Sequence, residues 1–246
     1  MVVLLHGIGG GRAIWSQTLQ AFAAAGFDTI ALDLPGYGGS QAVSPGGLHV
    51  IAQAVLQSLD AIGAGRVAVV GHSMGGMVAQ TMAGVAPARL GALVLACTSP
   101  AFGKADGEWQ AGFGGERLAP LDAGLGMAGL AAQLVPGMVA PAASEDAVRA
   151  ARTVMAAVPE ATYRVVLAGI VAFDGRAALP AIAVPTLCLA GALDRTAPPE
   201  VMRRMAAHIP GAEFAELAGA GHLANLEQPQ AFDEAVTGFL RRRFAS

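Results

Sequence analysis

Gly71-His72-Ser73-Met74-Gly75 lies between two apolar segments of different period. Before it, Arg66-Val67-Ala68-Val69-Val70 is a short β-branched run that reads as a buried strand. After it, Met77 to Ala86 reads as a helix, with Met77, Val78, Met82 and Val85 at its apolar positions. A Gly-X-Ser-X-Gly pentad between strand and helix is the nucleophile elbow. Its serine is held in a strained backbone conformation, and neighbours without side chains let strand and helix close up around the turn. The hydroxyl is then presented at the C-terminal edge of a sheet, which points to acyl-transfer or hydrolytic chemistry. Glycine and serine are common, so the pentad carries weight only if the chain also supplies a base, an acid and an oxyanion site.

Outward from the pentad, strand and helix patterns alternate. Val2–Leu5, Asp28–Leu32, Val67–Val70, Ala92–Cys97, Thr186–Ala190 and Glu213–Leu217 are expected strands. Trp15–Ala25, Leu48–Ile62, Pro199–His208 and the closing Pro229–Phe244 are expected helices. Such alternation predicts an α/β fold with a mainly parallel sheet covered by helices on both faces. Between Ser99 and about Pro180 the alternation stops. We read residues 99–180 as a helical cap inserted before the penultimate strand, and 1–98 with 181–246 as the core. Within the insertion, Ser144-Glu145-Asp146 is a helix start, with a capping hydroxyl and acids in the first turn. The chain opens directly on a core strand, which leaves Asp28–Leu32 as an exposed edge and suggests a homodimer paired there.

The composition fits one domain of 246 residues, 54% apolar and only 13% charged, with a net charge of −3. No basic cluster of nucleic-acid type is present, and Arg241-Arg242-Arg243 reads as a solvated helix end. Cys97 and Cys188 read as free buried thiols. The uncharged stretch from Ala123 to Ser144 is interrupted by four glycines and two prolines, so a lid over a pocket is expected there, not a membrane span. With no leader pattern at the front, a cytoplasmic protein is expected.

The base expected for the elbow is His222, on the small-residue loop Gly219-Ala220-Gly221-His222 after a strand. The acid is Asp194, also just after a strand, so that serine, acid and histidine follow in the chain order this architecture demands. Asp33, in the turn Asp33-Leu34-Pro35-Gly36, and Asp174, in the insertion, are the competing carboxylates. Backbone N–H groups of Met74 and Ile8, the latter in His6-Gly7-Ile8-Gly9-Gly10-Gly11, are the expected oxyanion donors. His6 is expected to brace that loop, and His72 to line or pack. Phe102, Trp109, Phe113, Met127 and Met138 are the candidate pocket residues of the cap. No metal-ligand spacing, phosphate loop or dinucleotide fingerprint is found, so no cofactor is expected.

Taken together, His6-Gly7-Ile8-Gly9, Asp33 to Ser40, the elbow, Gly191-Ala192-Leu193-Asp194 and Gly221-His222 resemble the α/β-hydrolase superfamily over nearly the whole chain. The resemblance implies the α/β-hydrolase fold and a Ser73-His222-Asp194 triad. Members usually carry two further N-terminal strands, which do not precede Val2 here. A serine at the elbow sets the chain apart from the haloalkane dehalogenase and epoxide hydrolase branches, which use aspartate. The stretches Gly191 to Pro199 and Gly221 to Pro229 look like those of the 3-oxoadipate enol-lactonase group, whereas the first loop has the generic esterase form. The resemblance implies hydrolysis of a small carboxylic ester or lactone; a carboxylated lactone would want a cation, for which Arg117 and Arg164 are the candidates. The alternatives are carbon–carbon bond hydrolysis or a lyase reaction on the same triad, and a slow-turnover ligand-binding receptor.

Overall fold

A computed structural model describes residues 1–42, 47–101 and 108–244. Six strands form one sheet: β1 (Val2–Leu5), β2 (Thr29–Leu32), β3 (Val67–His72), β4 (Leu90–Ala96), β5 (Thr186–Gly191) and β6 (Glu213–Leu217). Their order is β2-β1-β3-β4-β5-β6, and every neighbouring pair is parallel. The helices packed on it are α1 (Ser16–Ala24), α2 (Gly47–Ala61), α3 (Met74–Val85), α8 (Pro199–His208), α9 (Ala224–Glu227) and α10 (Pro229–Arg243).

Successive residues of a strand point to opposite faces, and the core divides accordingly. Val3, Leu5, Val69, Leu93 and Leu95 join α2, α3 and α8 in one apolar cluster. Val2, Leu4, Ala68, Val70 and Val94 join Phe22, Phe232 and Phe239 of α1 and α10 in the other. A sheet buried on both faces needs unbroken apolar strands, which is what Val2-Val3-Leu4-Leu5 supplies. β2 lies at one margin, with all four of its residues half-buried.

Between β4 and β5 the chain passes through α4 (Glu108–Asp122), α5 (Gly126–Met138), α6 (Glu145–Ala156) and α7 (Glu160–Val171). α6 is the helix expected there, and the Ser144 hydroxyl accepts the Ala147 N–H at its start. The pattern of letters does not mark the other three: glycines and internal prolines (Pro120 in α4, Pro136 in α5) lower helix propensity in two of them, and β-branched residues such as Val165, Val166 and Ile170 do so in α7. Burial of Leu130, Ala131 and Val135 along α5, and of Tyr163, Val166 and Leu167 along α7, outweighs that cost. The two ends of the excursion meet. Ala101 and Asp174 form an antiparallel bridge, and the Gly175 N–H donates to the Pro100 carbonyl at 2.6 Å. No single helix among the described residues is long and apolar enough to cross a membrane.

Candidate active site

From β1 the chain turns to one side of the sheet, and from β3 onward to the other, so a crevice opens above their carboxyl ends. The site residues occupy that edge. Ile8 follows β1, Ser73 follows β3, Asp194 follows β5 and His222 follows β6.

Ser73 has φ 53° and ψ −117°, in the region that disfavours side chains. The turn is held from several directions. The Ser73 N–H donates to the Ala96 carbonyl at 2.9 Å, and the Ser73 carbonyl accepts the Thr98 hydroxyl at 2.7 Å and the Gly76 N–H at 2.9 Å. The elbow glycines are forced by contact: a Cβ on Gly71 would lie 2.3 Å from the Gly75 carbonyl oxygen. A Cβ on Gly75 would lie 2.2 Å from the Leu5 carbonyl oxygen. α3 therefore begins at Met74, three residues before the expected Met77, because Gly75 and Gly76 are part of it.

His222 bridges the serine and the acid. Its Nε2 lies 2.9 Å from Ser73 Oγ and its Nδ1 lies 2.8 Å from Asp194 Oδ2. A carboxylate only accepts, so Nδ1 carries the proton and Nε2 presents its lone pair to the serine hydroxyl. The other carboxylate oxygen of Asp194 accepts the N–H groups of Thr196 at 2.7 Å and Ala197 at 2.9 Å, which fixes its orientation. Both side chains are shielded from solvent.

Ile8 and Met74 line the cavity beside Ser73, and among the described residues neither N–H has a backbone acceptor outside its own helix. His6 braces the first loop as expected: Nδ1 donates to the Gly7 carbonyl at 2.8 Å and Nε2 accepts the Leu34 N–H at 3.1 Å. His72 donates from Nε2 to the His222 carbonyl at 2.7 Å, tying elbow to base loop. Burial lowers His6 to about 4 and His72 to about 3, so both are neutral rings at pH 7. Asp33 accepts the Arg12 N–H at 2.8 Å and Asp174 pairs with Arg176, so both competing carboxylates are occupied away from His222.

The cavity above Ser73 has a volume of about 50 Å³. Its walls are apolar side chains of the insertion and of α3, among them Met77, Met138, Met155, Leu167 and Ile170, with Arg117 the one cation among the described lining residues. Of the candidate pocket residues, Met138 lines this cavity. Met127 is not among the residues that line the cavity: it lies 11 residues before Met138 on α5, roughly 16 Å along the axis, and the far end of the helix is the part that reaches the site. Phe102 lies outside the described residues, as do the side chains of Trp109 and Phe113 on α4. Of the two candidate cations Arg117 faces the cavity, while Arg164 pairs with Asp122 and Glu160 away from it. Among the described residues no group of three or more His, Cys, Asp or Glu is placed to hold a metal.

Thr98 and Glu227 support the site but carry no sequence signal. Thr98 follows a strand like many residues, and Glu227 reads as an acid at the start of the closing helix.

A family model described as alpha/beta hydrolase fold matches residues 1–229. The chain is 32% identical over 249 residues to the pimeloyl-acyl-carrier-protein methyl ester esterase of Vibrio cholerae, covering 98% of this chain and 94% of that protein. It is 33% identical over 253 residues to polyketide synthase ThaQ of Burkholderia thailandensis, covering 97% of this chain but only 12% of that much longer protein. Among solved structures it is similar to the enol-lactonase from Burkholderia xenovorans LB400, with TM-score 0.87 and 26% identity over 98% of this chain and 90% of that one.

Proposed function

The chain belongs to the alpha/beta hydrolase fold family, and from that premise we propose that it is a serine hydrolase of small carboxylic esters or lactones. The observation that carries this reading is the unbroken relay of Ser73 Oγ, His222 and Asp194, at 2.9 and 2.8 Å. In the first half-reaction Ser73 Oγ attacks the carbonyl carbon as its proton passes to His222 Nε2. Charge collects on the carbonyl oxygen, which the N–H groups of Ile8 and Met74 receive. His222 then returns the proton to the leaving oxygen, and the alcohol departs or, in a lactone, the ring opens. In the second half water attacks the acyl-serine as His222 takes its proton; the acyl–Oγ bond then breaks, His222 returns the proton to Ser73 Oγ, and the acid leaves. Asp194 keeps the proton on Nδ1 throughout and stabilises the imidazolium that forms.

The cavity walls Met77, Met138, Met155, Leu167 and Ile170 are apolar side chains, which suits an apolar acyl or alcohol group. Arg117, against the Tyr163 hydroxyl, gives an otherwise apolar chamber one cation, which suits a substrate bearing a carboxylate. The similarity to a methyl ester esterase and an enol-lactonase supports the same class of bond.

A fluorophosphonate probe and a panel of p-nitrophenyl esters and lactones test the reading. Ser73 is expected to label stoichiometrically, with labelling and turnover lost in Ser73→Ala. A wild-type protein that neither labels nor cleaves any member of the panel refutes the proposal.

A further inference from the structure

Glu227 closes the short helix α9, four-residue neighbour to the loop that carries His222, and it is buried. Its carboxylate accepts three backbone N–H groups from two distant segments. Oε2 takes Ala140 at 2.6 Å and Gly221 at 3.0 Å, and Oε1 takes Leu223 at 2.9 Å. Gly221 and Leu223 flank His222, whereas Ala140 lies just beyond α5, in the helical insertion. The two segments also meet without an intermediary, because the His222 N–H donates to the Met138 carbonyl at 2.7 Å. The approach is backbone on backbone. A Cβ on Gly221 would stand 2.7 Å from both the Ala140 nitrogen and the Met138 oxygen.

These contacts leave the His222 backbone no freedom of its own. Its N–H is committed to the insertion, its carbonyl to His72 of the elbow, and its two neighbours to Glu227. We propose that Glu227 is a positioning residue that makes the placement of His222 conditional on the seating of segment 138–140. The inference rests on the serine-hydrolase reading. Buried charge-assisted bonds to a carboxylate are short and directional, and one acceptor shared by both segments means that neither can shift without the other. The insertion then does more than wall the cavity. When it sits on Gly221 the base is aimed at Ser73; when it lifts, the bonds from His222 N–H to Met138 and from Ala140 N–H to Glu227 are lost together.

The test uses the full chain with a fluorophosphonate probe and p-nitrophenyl acetate. Glu227→Gln keeps the shape but replaces an acceptor oxygen with an NH₂ group facing a backbone N–H. With circular dichroism showing the native fold, Ser73 labelling and kcat are expected to fall about 10–100-fold, the scale set by small misplacements of reacting groups, with KM changed by less than about threefold. The far-downfield proton resonance of the His222–Asp194 bond should broaden, and amide exchange should rise together at 138–140 and 221–223. Gly221→Ala, which leaves the carboxylate intact and pushes the segments apart, is expected to give the same pair of effects. It serves as the second variant where Glu227 substitutions fail to fold. A purely structural Glu227 would lower the melting temperature and leave the labelling rate per folded molecule at the wild-type value; that result, or exchange rising at only one segment, overturns the inference alone. Absence of labelling in the wild-type chain overturns the hydrolase reading and the inference with it.

Discussion

Gly71→Ala adds one methyl group at the tightest point of the elbow. Built on the backbone as it stands, that Cβ lies 2.3 Å from the Gly75 oxygen, 2.5 Å from the Gly75 carbonyl carbon and 2.6 Å from the Gly76 nitrogen. All three are main-chain atoms, so no side chain can rotate away. Ordinary contact begins near 3.4 Å, and strand β3 and helix α3 must separate by about 1 Å (3.4 − 2.3). Overpacking of this kind costs about 1–3 kcal/mol. At ~2–4 °C per kcal/mol for a domain of this size, the melting temperature should fall by roughly 2–12 °C. The effect on turnover is larger. Ser73 sits inside the displaced turn, 2.9 Å from His222 Nε2, and a shift of about 1 Å breaks that hydrogen bond. Misplacement on this scale lowers kcat by about 10²-fold. The assay pairs thermal denaturation with fluorophosphonate labelling and ester turnover. Gly84→Ala is the internal control: it lies in the same helix, nothing stands within 4 Å of its Cβ, and it should stabilise by up to ~1 kcal/mol without touching kcat. A Gly71→Ala protein with wild-type kcat and melting temperature, or a Gly84→Ala protein equally damaged, would refute the reasoning.

Two further outcomes are expected. Asp194→Asn presents an NH₂ group to His222 Nδ1 and reverses the tautomer, so Nε2 carries the proton and cannot accept one from Ser73; kcat should drop about 10⁴-fold while far-ultraviolet dichroism stays unchanged. Urea unfolding as a function of pH should show stability lost on acidification. His6 and His72 are held below 6.5 in the native state, at about 4 and about 3, so between pH 6.5 and 4 the unfolded chain binds more protons and each ring removes up to ~1.4 kcal/mol per pH unit as the pH falls. Asp233 acts in the opposite sense: burial raises it to about 6, so the native state takes up a proton below that pH and part of the loss is offset. Asp233→Asn should therefore steepen the fall below pH 6, and a curve flat from pH 6.5 to 4 would contradict the burial of both rings.

The sequence made the sheet legible because the strands are short, most of them are apolar, and most lead into a glycine or a polar turn. Val2–Leu5, Pro199–His208 and Glu213–Leu217 have the bounds expected. Ser73, Asp194 and His222 could be picked out as candidates for the same reason, since a parallel sheet delivers every strand end to one edge, where the three are hydrogen-bonded together. The insertion was harder. Gly112, Gly114, Gly115 and Pro120 give α4 almost no intrinsic preference for helix, and packing decides it. Met127 and Met138 are indistinguishable as letters and both pack into the core, but one helix length decides which of them also reaches the cavity. Glu227 was illegible because its partners are three amides, and an amide is present at nearly every position in a chain.

The clasp between Ala101 and Asp174 has a consequence for how such a protein changes its diet. The insertion leaves and rejoins the core at one point, so its two ends are held together whatever its length. The strand ends that carry Ser73, Asp194 and His222 belong to the sheet, while the side chains of the insertion shape the chamber above them. One condition is attached. A transplanted segment must bring a bare stretch of main chain to Gly221 and an N–H to Glu227, or it will arrive as a roof over a histidine that is no longer aimed. The insertion is therefore clasped at its border and seated on the core at several internal points, of which the one at Gly221 and Glu227 bears directly on His222.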